Sequence, residues 1–268
     1  MKMPNSHTIA DEIASLYPLP IPLQDIVEEE GIILICDDYG SNTFDGLTIY
    51  EKEEKQFYIH LNTRGGNLLT NTKGRFTLAH ELGHYYLGHH RAAMMSGVMH
   101  PHIYKYNPFG NNYEWIIERE ADEFAASLLM PIEAFRRDLF QRKFSGHLID
   151  TLAKKYKVSF SASAIRILKI GVIPLMLVYA EKGVVKWQLH SEEFPFYRLR
   201  NGNSKVPENS VMGEYFLTKV TTNCHKDEIV FAGDCFHTFW EDQNRMEFFE
   251  YCIPYKDKAF SVFWQNTH

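Results

Sequence analysis

Residues 76–90, FTLAHELGHYYLGHH, constrain the fold more than any other stretch of this chain. The apolar residues Phe76, Leu78, Ala79 and Leu82 read as a buried helix, yet the same segment carries His80, Glu81, His84, His89 and His90. Burying a polar group without a partner costs about 1–3 kcal/mol, so distant parts of the chain must bring partners to these side chains. His80 and His84 stand one turn apart on one face, where two imidazoles can reach a single metal ion. Glu81 lies about 60° around the helix from His84, beside that face and not on it. That is a base's position: a carboxylate there can take a proton from water at an open metal position and return it to a leaving amine. The plain alternative is a set of hydrogen-bonded core histidines. The setting, an apolar helix directly after a strand pair, favours the metal.

A catalytic zinc takes three protein ligands and keeps a fourth position open, so one ligand must come from elsewhere. In YEWIIEREADEFAASLLM (residues 113–130), Ile117, Ala121, Phe124, Ala125, Leu128 and Leu129 define one apolar helical face. Glu118 and Asp122 project along its edge, Glu120 points to the other flank, and Glu123 points to solvent. Packing the two helices through these faces brings Glu118 against both histidines and leaves Asp122 able to accept a ring N–H. The expected ligands of one zinc ion are therefore His80, His84 and Glu118, with Glu81 as catalytic base and Asp122 behind a ligand. Glu120 is the substitute for Glu118, and the competing reading is an exposed acidic stripe on a surface helix. His89 and His90 read as capping the end of the histidine helix, where its dipole is negative. His100, His102, Tyr85 and Tyr113 are candidates for supporting an oxyanion, and no spacing selects among them.

The flanks fit an α+β chain. Two short helices, TIADEIASLY and PLQDIVEEE, precede the β-rich runs IILICDD, GLTIYE and QFYIHLN. The last two are separated by the charged turn EKEEK and read as an antiparallel hairpin. An extended substrate is expected along the strand edge near Phe57–Leu61. LIDTLAKKYKVSFSASAIRILK has a helix-turn-helix outline, with Leu148, Leu152, Tyr156, Ile165 and Leu168 inward. Ser161 and Ser163, at the start of its second helix, are poor base readers. A packing pair is therefore the preferred reading and DNA binding the lesser one. After Gly171 the sequence turns aromatic and β-rich, with strands expected at PLMLVYA, VVKWQL, EYFLTKV, EIVFA, MEFFEYCIPY and AFSVFW. Three domains follow: a zincin-like metallopeptidase (1–132) with a small antiparallel sheet, a helical segment (133–171), and a β-rich C-terminal domain (172–268) for sensing, docking or dimerisation.

Composition narrows the setting. A hydrophobic content of 45% supports a substantial core, and a net charge of −6 with interspersed signs gives no overall basic footprint for nucleic acid. The longest apolar run, Ile170–Ala180, contains Pro174 and is far shorter than the roughly 20 residues a spanning helix needs. No secretory leader is recognisable in the first twenty residues, and Cys36, Cys224, Cys235 and Cys252 form no CxxC pair. Both features suit free thiols in a cytoplasm.

FTLAHELGHYYLGHH followed by EREADEFAASLLMP, preceded by FDGLTIY and by IADEIASLY and PLQDIVEEEGI, resembles the ImmA/IrrE family of metallopeptidases over roughly residues 8–170. The HExxH-then-ExxxD arrangement is also similar to gluzincin peptidases. The resemblance implies a zinc endopeptidase with Glu118 as ligand and Asp122 supporting a ligand histidine. It further implies substrates that are helix-turn-helix transcriptional repressors, cleaved to derepress mobile-element or stress-response genes. Longer members carry a ligand-sensing domain of GAF type after the peptidase. The rival from another class is a non-catalytic regulator that binds DNA or a repressor, with any metal structural.

Overall fold

In the computed structural model, which describes residues 5–98, 113–202 and 204–265, the chain divides into two compact units. The first is Met1–Asp138 with Leu152–Ser159, the second Leu139–Thr151 with Phe160–His268.

The first unit begins with α1 (Ser6–Ala14), where the Asn5 side chain accepts from the Thr8 N–H, and α2 (Leu23–Glu29). Strands β1 (Ile33–Asp37), β2 (Gly46–Glu51) and β3 (Gln56–Asn62) form a sheet of order β1-β3-β2. β2 and β3 are the expected hairpin, with Glu51 opposite Gln56 beside the charged turn. β1, by contrast, runs parallel to β3, so the sheet is mixed and not purely antiparallel. The cause is nonlocal. Asn62 donates to the carbonyls of Gly40 and Phe44 and accepts from the Tyr39 N–H, pinning the crossover that carries the chain from one side of β3 to the other. This order corrects the expected substrate position: β3, which contains Phe57–Leu61, is the central strand with both edges paired, and among the described residues the unpaired edge beside the histidine helix belongs to β2.

Four helices follow: α3 (Thr72–Tyr86), α4 (Gly88–Ser96), α5 (Tyr113–Leu129) and α6 (Ile132–Phe140). The Asn71 side chain caps α3 by accepting from the Gly74 N–H. The apolar face read for α5 is the buried one, with Ile117, Ala121, Phe124, Ala125, Leu128 and Leu129 all in the core. α5 packs on both α1 and α3. Pro131 stops it, and the Pro131 carbonyl accepts from Phe135 to start α6.

Helices α7 (Gly146–Tyr156) and α8 (Phe160–Ile170) form where the sequence placed them, with Lys157 between them in a left-handed conformation with φ of 51°. Leu148, Leu152 and Tyr156 are buried as expected. On α8 the inward face is Ser163, Ala164 and Ile167 in place of Ile165 and Leu168, which are half-buried. Ser163 is fully buried, its hydroxyl donating to the Ile149 carbonyl, and Arg166 is buried too. Neither is offered to a nucleic acid.

In the second unit, β4 (Leu175–Glu181), β5 (Val184–His190), β6 (Asp227–Phe231), β7 (Glu247–Tyr255) and β8 (Lys258–Gln265) make an antiparallel sheet of order β5-β4-β8-β7-β6. α8 covers one face, where Phe160 meets Tyr251 and Phe260. The other face holds α9 (Val211–Thr218), α10 (Ala232–Cys235) and an aromatic cluster in which Phe236 touches Phe194, Phe196, Phe248 and Phe263. These aromatics are core, as the sequence suggested. The expected strand EYFLTKV is instead most of α9. Ser210 caps that helix at Gly213 N–H, and the buried carboxylate of Glu250, on β7, accepts from Val211 and Met212. A cap supplied across 38 residues of chain leaves no local sign of a helix start. Among the described residues no helix is long and apolar enough to cross a membrane.

Candidate metal centre

The site is built where α3 crosses α5. Gly83 makes the crossing close: a Cβ placed there would stand 3.2 Å from the Ala121 Cα and 3.3 Å from its carbonyl oxygen. At this separation His80 and His84 on α3 meet Glu118 on α5. His80 Nε2 lies 3.1 Å from His84 Nε2 and 3.1 Å from Glu118 Oε2, and His84 Nε2 lies 3.7 Å from Glu118 Oε1. Ligands about 2.0–2.1 Å from a tetrahedral zinc are separated from one another by about 3.3 Å, so the spacing of these donors suits one ion. The donor set, two imidazoles and a carboxylate, is a zinc set.

A second observation supports the fit. Both Glu118 oxygens are buried, and neither receives an aligned hydrogen bond. An acid buried in this way normally has donors, and a cation between it and the two imidazoles would provide the missing partner. His80 is held on its far side, Nδ1 standing 2.9 Å from Asp122 Oδ1, which sets its Nε2 toward the other donors. Burial alone would lower the His80 imidazole, but the carboxylates of Asp122 and Glu118 outweigh it and raise it to about 10.

Glu81 is buried beside this cluster, over β2. Its Oε2 accepts from the Thr48 hydroxyl at 2.7 Å, and a Cβ added at Gly46 would fall 2.4 Å from its Oε1. Glycine at the start of β2 is therefore what makes room for the carboxylate. Burial pushes Glu81 up to about 7, against the opposing pull of His80 and Thr48. A carboxyl poised there can both accept and release a proton near neutrality.

Sequence reasoning placed these four side chains and Asp122 together, and the structure brings them together. It misplaced two histidines. The histidine helix breaks at Leu87, whose backbone is extended, so His89 and His90 open α4 and do not end α3. They meet Glu120, which faces them at 2.7 and 3.1 Å. Glu120 thus does not stand in for Glu118. Tyr85 donates its hydroxyl proton to Glu30 and not to the cluster's carboxylates. His100 and His102 lie outside the described residues, as does the side chain of Tyr113. Thr48 and Gly46 were not found from sequence; their only signal is their position in the strand that precedes the histidine helix.

Residues 42–168 match a peptidase family model described as the IrrE N-terminal-like domain. Among solved structures, a Mycobacterium tuberculosis transcriptional regulator superposes with a TM-score of 0.60 at 15% identity, over 97% of this chain and 76% of that one. At such an identity the likeness is one of fold. No curated protein matches the chain.

Proposed function

We propose, for a chain whose residues 42–168 match a peptidase family model described as the IrrE N-terminal-like domain, that it is a cytoplasmic zinc endopeptidase of gluzincin kind. The observation that carries this reading is the convergence of His80, His84 and Glu118, with both Glu118 oxygens buried and without an aligned hydrogen bond, and Glu81 buried alongside. His80, His84 and Glu118 would hold the ion. Zinc, when bound, supplies Lewis acidity to the scissile carbonyl and to an attacking water. Glu81 takes the proton of that water and passes it to the leaving amine. Thr48 keeps the carboxylate aimed between α3 and β2, and Gly46 leaves it space. An extended substrate segment is proposed to pair with the open edge of β2, adding a strand to the sheet beside Glu81.

The substrate class proposed is a helix-turn-helix repressor, cleaved to release mobile-element or stress-response genes; the support is family likeness alone. The second unit is proposed as a docking, dimerisation or sensory part.

The test replaces Glu81 by Gln in the full chain. Folding and zinc content should be retained, while cleavage of a repressor encoded beside the gene falls by about 10²–10⁴-fold or more. Loss of zinc in Glu81→Gln would reassign Glu81 as a ligand. A non-catalytic regulator predicts instead that the substitution leaves the transcriptional output untouched and that the protein alone retards DNA in a salt-dependent gel shift.

A further inference from the structure

His84 is held from behind as His80 is, but through a second imidazole. Its Nε2 faces the ligand cluster, while its Nδ1 lies 3.1 Å from Nδ1 of His90. His90 Nε2 in turn lies 3.1 Å from Glu120 Oε2, and the His90 side chain is wholly buried. We propose that His90 and Glu120 are positioning residues for the metal: they fix the tautomer and ring orientation of His84, as Asp122 does for His80. This rests on the zinc reading of the preceding section.

Proton accounting makes the assignment. A neutral histidine that binds metal through Nε2 carries its one proton on Nδ1. In a buried site that N–H needs an acceptor, and the atom facing it is His90 Nδ1. His90 must then present a lone pair at Nδ1 and carry its own proton on Nε2, where Glu120 Oε2 accepts it. Each proton has one donor and one acceptor, and the chain ends on a half-exposed carboxylate.

The same accounting rejects the competing use of these residues. His89, His90 and Glu120 lie close enough to form a second metal cluster. Binding metal there would require a bare Nε2 on His90 and so a proton on its Nδ1. Two N–H groups, one on His84 and one on His90, would then face each other at 3.1 Å. The second cluster is incompatible with a loaded first one. His89, half-exposed and donating to the same Glu120 oxygen, is peripheral to the relay.

The experiment measures zinc affinity by competition with a chromophoric chelator, together with the visible spectrum of the cobalt-substituted protein. Both are read for the full-length wild type and for His90→Phe, His90→Asn, Glu120→Ala and His89→Ala. His90→Phe should lose about 10–100-fold in zinc affinity and shift the cobalt bands. His90→Asn, whose side-chain oxygen replaces Nδ1 as acceptor, should recover most of both, Glu120→Ala should show a smaller loss, and His89→Ala none. Unchanged affinity and spectrum in His90→Phe overturn the proposal, as do equal losses in His90→Phe and His90→Asn, which would reduce the role to packing. Two tightly bound zinc equivalents in the wild type also overturn it. If His90→Phe does not fold by circular dichroism of the zinc-free protein, Glu120→Ala decides, unchanged affinity there counting against. A wild type that binds no zinc overturns the metal reading itself, an outcome distinct from all of these.

Discussion

Asp122 would touch no substrate, yet the proposed ligand cluster leans on it. Its carboxylate holds His80 at Nδ1 and leaves Nε2 as the atom facing His84 and Glu118. Without that contact the proposed ligand would lose basicity and part of its orientation. Asp122→Ala should therefore weaken zinc binding by about 10–100-fold while Asp122→Asn, which retains an acceptor, loses less. Chelator competition on the two proteins checks the order. Equal affinities for wild type and Asp122→Ala would mean that packing alone orients His80. At this scale the sequence was largely readable, because one helical turn sets both spacings: four residues from His80 to His84, and four from Glu118 to Asp122. His90 was not readable. Its role depends on a break at Leu87, whose extended backbone ends the helix just before Gly88 and turns His90 back toward His84.

Between elements, the distance from α3 to α5 decides whether three side chains meet. Gly83 sets that distance, since the nearest atoms to an added Cβ are the backbone of Ala121, which cannot swing aside, and the Phe124 ring. Gly83→Val should cost about 1–3 kcal/mol by overpacking and, by parting the helices, draw Glu118 away from both imidazoles. The expected result is a lowered melting temperature together with a lowered zinc affinity. Gly88→Ala provides the control: nothing lies within 4 Å of its added Cβ, so zinc affinity should hold. A Gly83→Val protein that melts lower but binds zinc as tightly would show that the site does not depend on the crossing. The faces of α5 were legible because six buried residues follow one period. α9 and the parallel β1–β3 pair were not, and for one reason: each is fixed by a buried polar side chain from far along the chain, Glu250 in the first case and Asn62 in the second. Periodicity reports which face is buried. It carries no information on which distant carboxylate or amide will satisfy a backbone group.

For the whole chain, the division into two units, each with its own core, predicts two unfolding transitions that answer to different agents. Removing zinc destabilises only what binds it. At free zinc a thousandfold above its dissociation constant the ion contributes about 4 kcal/mol, so a chelator should lower the transition of the first unit and leave the second in place. The second unit should respond to pH through Glu250. Burial pushes that carboxyl up to about 7 from 4.5, outweighing the hydrogen bonds donated by Ser261 and by the backbone of Met212 and Val211. A folded state with the raised value holds its proton more tightly than the unfolded chain. Its contribution is therefore complete below about pH 4.5 and is lost as pH rises to about 7, a change on the order of 3 kcal/mol. Calorimetry from pH 5 to 8, with and without chelator, separates the two effects. Glu250→Gln should lower the second transition throughout, because its amide N–H₂ meets backbone N–H groups, and should flatten that transition's dependence on pH relative to the wild type. Equal slopes in the two proteins would mean that the three donors hold Glu250 ionised in the folded state. A chelator that moved both transitions together would mean that the units do not unfold separately.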